Sequence, residues 1–149
     1  VGAQLAVEQV NGAGGINGDM LELVVYDDQA SPKEAAPLAV KLTTQDEVIA
    51  GISGSYSGST RAAATIFQEN ATPYISAYAV HPDITRAGNY VFRTSFVGDV
   101  QGRAGAKLIG DMLGKKRVSM ITLNNDFGKS LAAGFKEQAS NFGSDILNE

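Results

Sequence analysis

The sequence holds no cysteine, so no disulfide can staple it and no thiolate can bind a metal. Its only histidine is His81, too few for a zinc site and a single candidate base for a serine-type triad. The nucleophile elbow G-x-S-x-G is not matched in any register of Gly51-Ile52-Ser53-Gly54-Ser55-Tyr56-Ser57-Gly58. Net charge is −4 with no basic cluster, which argues against a nucleic-acid partner. No apolar run approaches the ~20 residues that span a bilayer. Catalysis by triad, zinc chemistry, DNA or RNA binding and membrane spanning thus lose their usual signatures.

What is present is an ordinary globular composition. At 149 residues, 44% apolar and 19% charged, the chain fits one domain with a real core and does not read as disordered. A core of that size needs no disulfide staples, so the missing cysteines suit a cytosolic or an exported protein alike. The chain opens in mid-pattern at Val1-Gly2-Ala3 and reads as a fragment of something longer.

Hydrophobic periodicity gives alternating helices and strands. Ala3, Ala6, Val7 and Val10 predict a helix over 2–11, ended by the glycine-rich run Asn11 to Gly18. That run nearly matches a dinucleotide fingerprint, but it follows a helix and opens a strand, the reverse of what the fingerprint requires. Residues 21–26 read as a strand closing on Asp27-Asp28, a pair that suits a metal, acid–base work or a solvated turn. Ser31-Pro32-Lys33-Glu34 predicts a helix start with a capping box, and Pro37 predicts a kink or restart within that helix. Further strands are expected over 48–52, 73–76, 90–93 and 117–123. Helices are expected over 59–70, 99–113 and from the turn at 124–128 to 141. The loop 77–85 holds His81. The order is α/β with a mostly parallel sheet, in which ligands bind at the carboxyl ends of strands. Three exit turns therefore matter, at 53–58, 77–81 and 124–128.

The turn at 51–61 is the focus. Glycines let backbone approach a ligand, the first N–H groups of a helix lack intrahelical partners, and Ser57, Ser59 and Thr60 add hydroxyls. This combination reads as a seat for a small anion, a carboxylate above all; an ordinary Ser/Thr helix cap that binds nothing is the alternative. Gly128-Lys129-Ser130 resembles the end of a phosphate-binding loop, but Leu123 stands where its first glycine belongs, and Asp126 brings negative charge beside the phosphate.

Four stretches taken together carry a family resemblance: AVEQVNGAGGINGDMLELVVYDDQASPKEA, GSYSGSTRAAATIFQENATPYISAYA, YVFRTSFVGDVQG and NNDFGKSLAAGFKE. In collinear order they resemble the periplasmic solute-binding proteins of branched-chain amino-acid (leucine/isoleucine/valine) ABC transporters. The resemblance implies a type I periplasmic-binding-protein-like α/β fold of two lobes, both incomplete. Residues 1–97 would form most of the first lobe, without its opening strand, and 98–149 the start of the second, with a hinge crossing at 93–96. It implies a periplasmic protein that delivers a ligand to a membrane permease, uses no cofactor or metal and is not an enzyme. A sensor domain of the same fold is the alternative, and a nucleotide-dependent enzyme at Gly128-Lys129-Ser130 a remoter one. The implied site has Ser57 on the ligand carboxylate, flanked by Tyr56 and Gly58. Tyr78 and Val80 would meet the α-carboxylate and α-ammonium through backbone groups, and Phe127 would lay a ring over the ligand from the second lobe. Three departures widen the expected ligand class to other amino acids and aromatic acids: Val80 lacks a hydroxyl common there, Tyr78 replaces a small residue, and Phe127 replaces a frequent tyrosine.

Overall fold

The computed structural model describes residues 1–149. Helix α1 (Gly2–Gly12) forms where periodicity predicts it, yet buries none of its residues. It ends because Gly14 and Gly15 take φ of +101° and +74°, and a side chain at Gly15 would collide with the Asp19 carbonyl. The Asn11 side chain then fixes the returning chain: its amide nitrogen donates to the Leu21 carbonyl and its oxygen accepts from Leu21 N–H, both at 2.8 Å.

The expected strand over 21–26 is not part of a sheet. Residues 22–26 make no backbone–backbone hydrogen bond. They face β1 (Gly51–Ser53) across a mostly apolar groove of about 700 Å³. β propensity is present in that run, but a strand needs a hydrogen-bonded neighbour and here none stands beside it.

Between them lies α2 (Pro32–Thr44), which starts as expected with Ser31 at the cap and Pro32 at the first position. The capping-box side-chain bond is not made, and Asp27 and Asp28 instead accept from the N–H groups of Gln29 and Ala30, a self-satisfied pair of turns. The helix runs unbroken through Pro37. Proline removes the partner of the carbonyl four residues back, here on Lys33, an exposed residue of the first turn.

Beyond β1 come α3 (Ser57–Glu69), β2 (Tyr74–Ser76), α4 (Asp83–Arg86) and β3 (Val91–Arg93). The three strands form a parallel sheet in the order β1-β2-β3, with Gly51 beside Tyr74 and Tyr74 beside Val91. The one-turn helix α4 occupies what reads as loop in the sequence, and seats Ile84 in the core. That core gathers Ala39 of α2, Ala63, Ala64 and Phe67 of α3, and Tyr74 and Val91 of the sheet. Phe67 stacks on Tyr74 with ring centroids 4.5 Å apart, directly over Gly51, where a β-carbon would strike both rings. α3 starts two residues earlier than expected, so Ser57 is its first residue and Tyr56 its cap.

A second, smaller unit follows. Helix α5 (Gly98–Lys107) continues as a π-helical turn (Leu108–Met112), then β4 (Arg117–Ser119), α6 (Asp126–Ala139) and β5 (Asp145–Asn148). β4 is shorter than the expected 117–123 because its only partner is β5, and the ladder shifts register between Val118 and Ser119. β5 itself was not foreseen from the sequence. α5 and α6 cross at Gly102 and Gly134: a β-carbon at Gly102 would overlap the Leu131 carbonyl, and one at Gly134 the Asp99 carbonyl. Ala106, Phe135 and Ala139 form the core of this unit.

Candidate functional site

The two units face each other across a cleft of about 1070 Å³. Its walls come from the exit turn of β1 with the start of α3, from the β2–α4 connection, and from the turn that opens α6. These are the three carboxyl-end turns singled out in the sequence. Of the six expected ligand contacts, Tyr56, Ser57, Gly58, Tyr78 and Phe127 line the cleft and Val80 does not.

The start of α3 is its most reactive wall in hydrogen-bonding terms. No side chain caps the helix, and the first backbone bond of its opening turn is Thr60 N–H to the Tyr56 carbonyl at 3.0 Å. The N–H groups of Ser57, Gly58 and Ser59 precede that bond and carry the positive end of the helix dipole. The Ser59 hydroxyl turns back to the Tyr56 carbonyl at 3.3 Å. The Ser57 hydroxyl has no partner at all, although the residue is only 2% exposed. A buried hydroxyl without a partner costs free energy, and one at the edge of a cleft is satisfied when an acceptor enters.

The remaining expected contacts are distributed unevenly. Tyr78 is 63% exposed and lines the cleft, and its carbonyl accepts from the Ser95 hydroxyl at 3.3 Å. Val80 is 3% exposed and its carbonyl accepts from Gly98 N–H at 2.8 Å, so it ties the first unit to the start of α5. Phe127 is half-buried in the first turn of α6.

The two helix starts at the cleft are chemically unlike. α6 is capped by Asn125, whose side-chain oxygen accepts from Gly128 N–H at 2.9 Å. The Ser130 hydroxyl donates to the Phe127 carbonyl at 2.8 Å, and Gly128 packs against the Leu123 backbone. The amide and hydroxyl that a phosphate-binding loop would offer from Gly128-Lys129-Ser130 are therefore spent inside the helix.

Charged side chains edge the cleft, a feature the sequence reading did not single out. Arg86 meets Asp83 at 2.8 Å, Asp83 meets Arg61 at 3.8 Å, and Arg61 meets Asp126 at 3.1 Å. Lys129, also on the cleft, is in no ion pair, which leaves the lining one positive charge in excess. Behind the cleft, the Arg93 guanidinium donates to the carbonyls of His81 and Pro82 and to the Thr85 hydroxyl, fixing the loop that carries Tyr78. Burial lowers the Arg93 pKa, and the charge of Asp99 opposes that shift. The single histidine accepts from Asp83 N–H through Nδ1 and holds the start of α4.

Comparison with known proteins decides the family. The family profile described as periplasmic binding protein matches residues 1–149. The chain belongs to that family. Among relatives of the periplasmic binding proteins, the leucine-, isoleucine-, valine-, threonine- and alanine-binding protein of Pseudomonas aeruginosa is 33% identical over 143 residues, covering 95% of this chain and 38% of its own length. Two solved structures extend the likeness to three dimensions. The branched-chain amino-acid transporter substrate-binding protein LivJ of Streptococcus pneumoniae, in complex with isoleucine, superposes with a TM-score of 0.89 at 33% identity, over 99% of this chain and 42% of that one. A solute-binding protein of an ABC transporter from R. palustris, in complex with benzoate, gives 0.86 at 28% identity, over 97% and 40%. The fold is that of the type I periplasmic binding proteins, and this chain spans about two fifths of the length of the relatives it matches. No helix is long and apolar enough to cross a membrane.

Proposed function

We propose that the protein is an extracytoplasmic solute-binding protein that captures a small carboxylate-bearing ligand and hands it to the permease of an ABC transporter. The observation that carries this reading is the buried, unpartnered hydroxyl of Ser57, a residue that lines the cleft at the uncapped start of α3. One carboxylate oxygen would accept from that hydroxyl and from N–H groups of the first turn, an arrangement worth about 1.5–3 kcal/mol for a charge-assisted hydrogen bond. The excess positive charge at the rim attracts anions toward the seat. Tyr78 and Phe127 then offer aromatic faces to the body of the ligand. Both acidic groups of the lining, Asp83 and Asp126, are held in ion pairs, so the cleft favours an organic acid at least as well as a zwitterion. The ligands of the two related structures, isoleucine and benzoate, span that range.

On this reading residues 1–97 and 98–149 belong to two lobes that close on the ligand about the crossing near Arg93 to Val97. The test is a thermal-shift screen of the protein with L-leucine, benzoate and ATP. A ligand at a hundred times its dissociation constant raises stability by about 2.7 kcal/mol, which is several degrees. A shift with L-leucine or benzoate supports the reading; a shift with ATP alone contradicts it.

A further inference from the structure

Arg61 stands one helical turn beyond Ser57 on α3, and both line the cleft. Positions four apart on a helix share a face. The guanidinium reaches over the cleft to Asp126, the first residue of α6, at 3.1 Å, and lies 3.8 Å from Asp83 on its own side. Of the eight ion pairs between a lysine or arginine and a carboxylate, Arg61–Asp126 is the only one that joins residues 1–97 to residues 98–149. Every other pair is internal to one unit. Its two neighbours make the link selective. Asp83 keeps Arg86 at 2.8 Å when Arg61 is removed, so no carboxylate is orphaned on the first unit. Arg61 keeps Asp83 when Asp126 is removed.

We propose that Arg61 and Asp126 form an electrostatic latch that holds the cleft closed, with Arg61 a positioning residue that sets how long a bound solute is retained. The inference rests on the binding reading above, in which the cleft closes on a solute. Arg61 is 45% exposed and Asp126 26%, so the pair is screened by salt. Exposed pairs of this kind change an equilibrium by about two- to five-fold. The latch therefore biases closure without locking it, which suits a protein that must release what it binds. It also gives closure a dependence on ionic strength that neither Ser57 nor the aromatic side chains produce.

The absence of cysteine makes the test clean. Exposed Glu69 at the end of α3 and exposed Ala133 on α6 are replaced by cysteine and spin-labelled, and their separation is read by double electron–electron resonance without ligand. The closed, short-distance population is expected to fall about two- to five-fold relative to the open one when salt rises from about 10 mM to about 1 M, where the Debye length shrinks from roughly 30 Å to 3 Å. Arg61→Met at low salt should match the unsubstituted protein at high salt, Arg61→Lys should keep most of the closed population, and adding Asp126→Asn to Arg61→Met should change nothing further. Superimposable distributions for Arg61→Met and the unsubstituted protein would overturn the latch, as would a loss with Asp126→Asn that is additive to that of Arg61→Met. Binding of L-leucine and of benzoate is measured on the same variants. If neither binds, the binding reading falls while the distance distributions still judge the latch. If one binds with dependence on Ser57 and dissociates from Arg61→Met at the unsubstituted rate, the binding reading stands and the latch is overturned.

Discussion

Replacing Ser57 by alanine should move stability and affinity in opposite directions. In the free protein the Ser57 hydroxyl is buried and unpartnered. An unsatisfied buried hydroxyl costs about 1–3 kcal/mol, and alanine removes it without leaving more than a hydroxyl-sized gap. Ser57→Ala is therefore expected to leave unfolding free energy unchanged or to raise it by about 1 kcal/mol. With ligand, the same change deletes a donor to a carboxylate, a loss of about 1.5–3 kcal/mol, or roughly 10- to 150-fold in dissociation constant. Urea denaturation of the free protein gives the first quantity and isothermal titration with benzoate or L-leucine the second. A variant that is less stable by more than about 1 kcal/mol and binds as well as before would refute the reasoning, because Ser57 would then be a helix cap whose hydroxyl serves only the fold.

Two further outcomes follow from the packing. Gly102→Ala should destabilise by about 1–3 kcal/mol or more in a urea melt, because its β-carbon meets the Leu131 backbone rather than a movable side chain; adding Gly134→Ala, at the same helix crossing, should cost less than the sum of the two. The Tyr74 phenol is pushed above its ordinary value, chiefly by burial in the core. A folded-state pKa above the unfolded one means full stability below about pH 10 and a decline of about 1.4 kcal/mol per pH unit above it. The stability difference between the protein and Tyr74→Phe, measured from about pH 8 to about pH 11, should fall with that slope; a flat difference contradicts the burial argument.

The alternation of helices and strands was legible because each βα step repeats the same signals: an apolar strand, a turn of small polar residues and an amphipathic helix. The likeness to the periplasmic binding proteins was carried by the same stretches in order. Residues 21–26 show what propensity omits. Their composition suits a strand, but whether a hydrogen-bonded neighbour stands beside them is not encoded locally. β5 was missed for the converse reason: Asp145–Asn148 is short and half polar, and it becomes a strand only through its pairing with β4. The start of α3 lies two residues before the expected one: Ser53, Ser55, Ser57 and Ser59 are all acceptable caps by residue type, and the helix instead begins after Tyr56. That shift matters for function, since it turns Ser57 from a loop hydroxyl into the buried first residue of the helix. The rim charges were illegible for a simpler reason: Arg61 is 22 positions from Asp83 and 65 from Asp126, and only the fold brings them together.

The central claim is that the start of α3 recognises a carboxylate. It is tested most directly by titrating the protein with two matched pairs, benzoate against benzamide and L-leucine against L-leucinamide, which alter the carboxylate and keep the rest of the ligand. The account predicts that the preferred acid binds at least about ten-fold more tightly than its amide, the equivalent of about 1.4 kcal/mol, and that Ser57→Ala narrows the gap. Equal affinities for acid and amide, unchanged by Ser57→Ala, would contradict it.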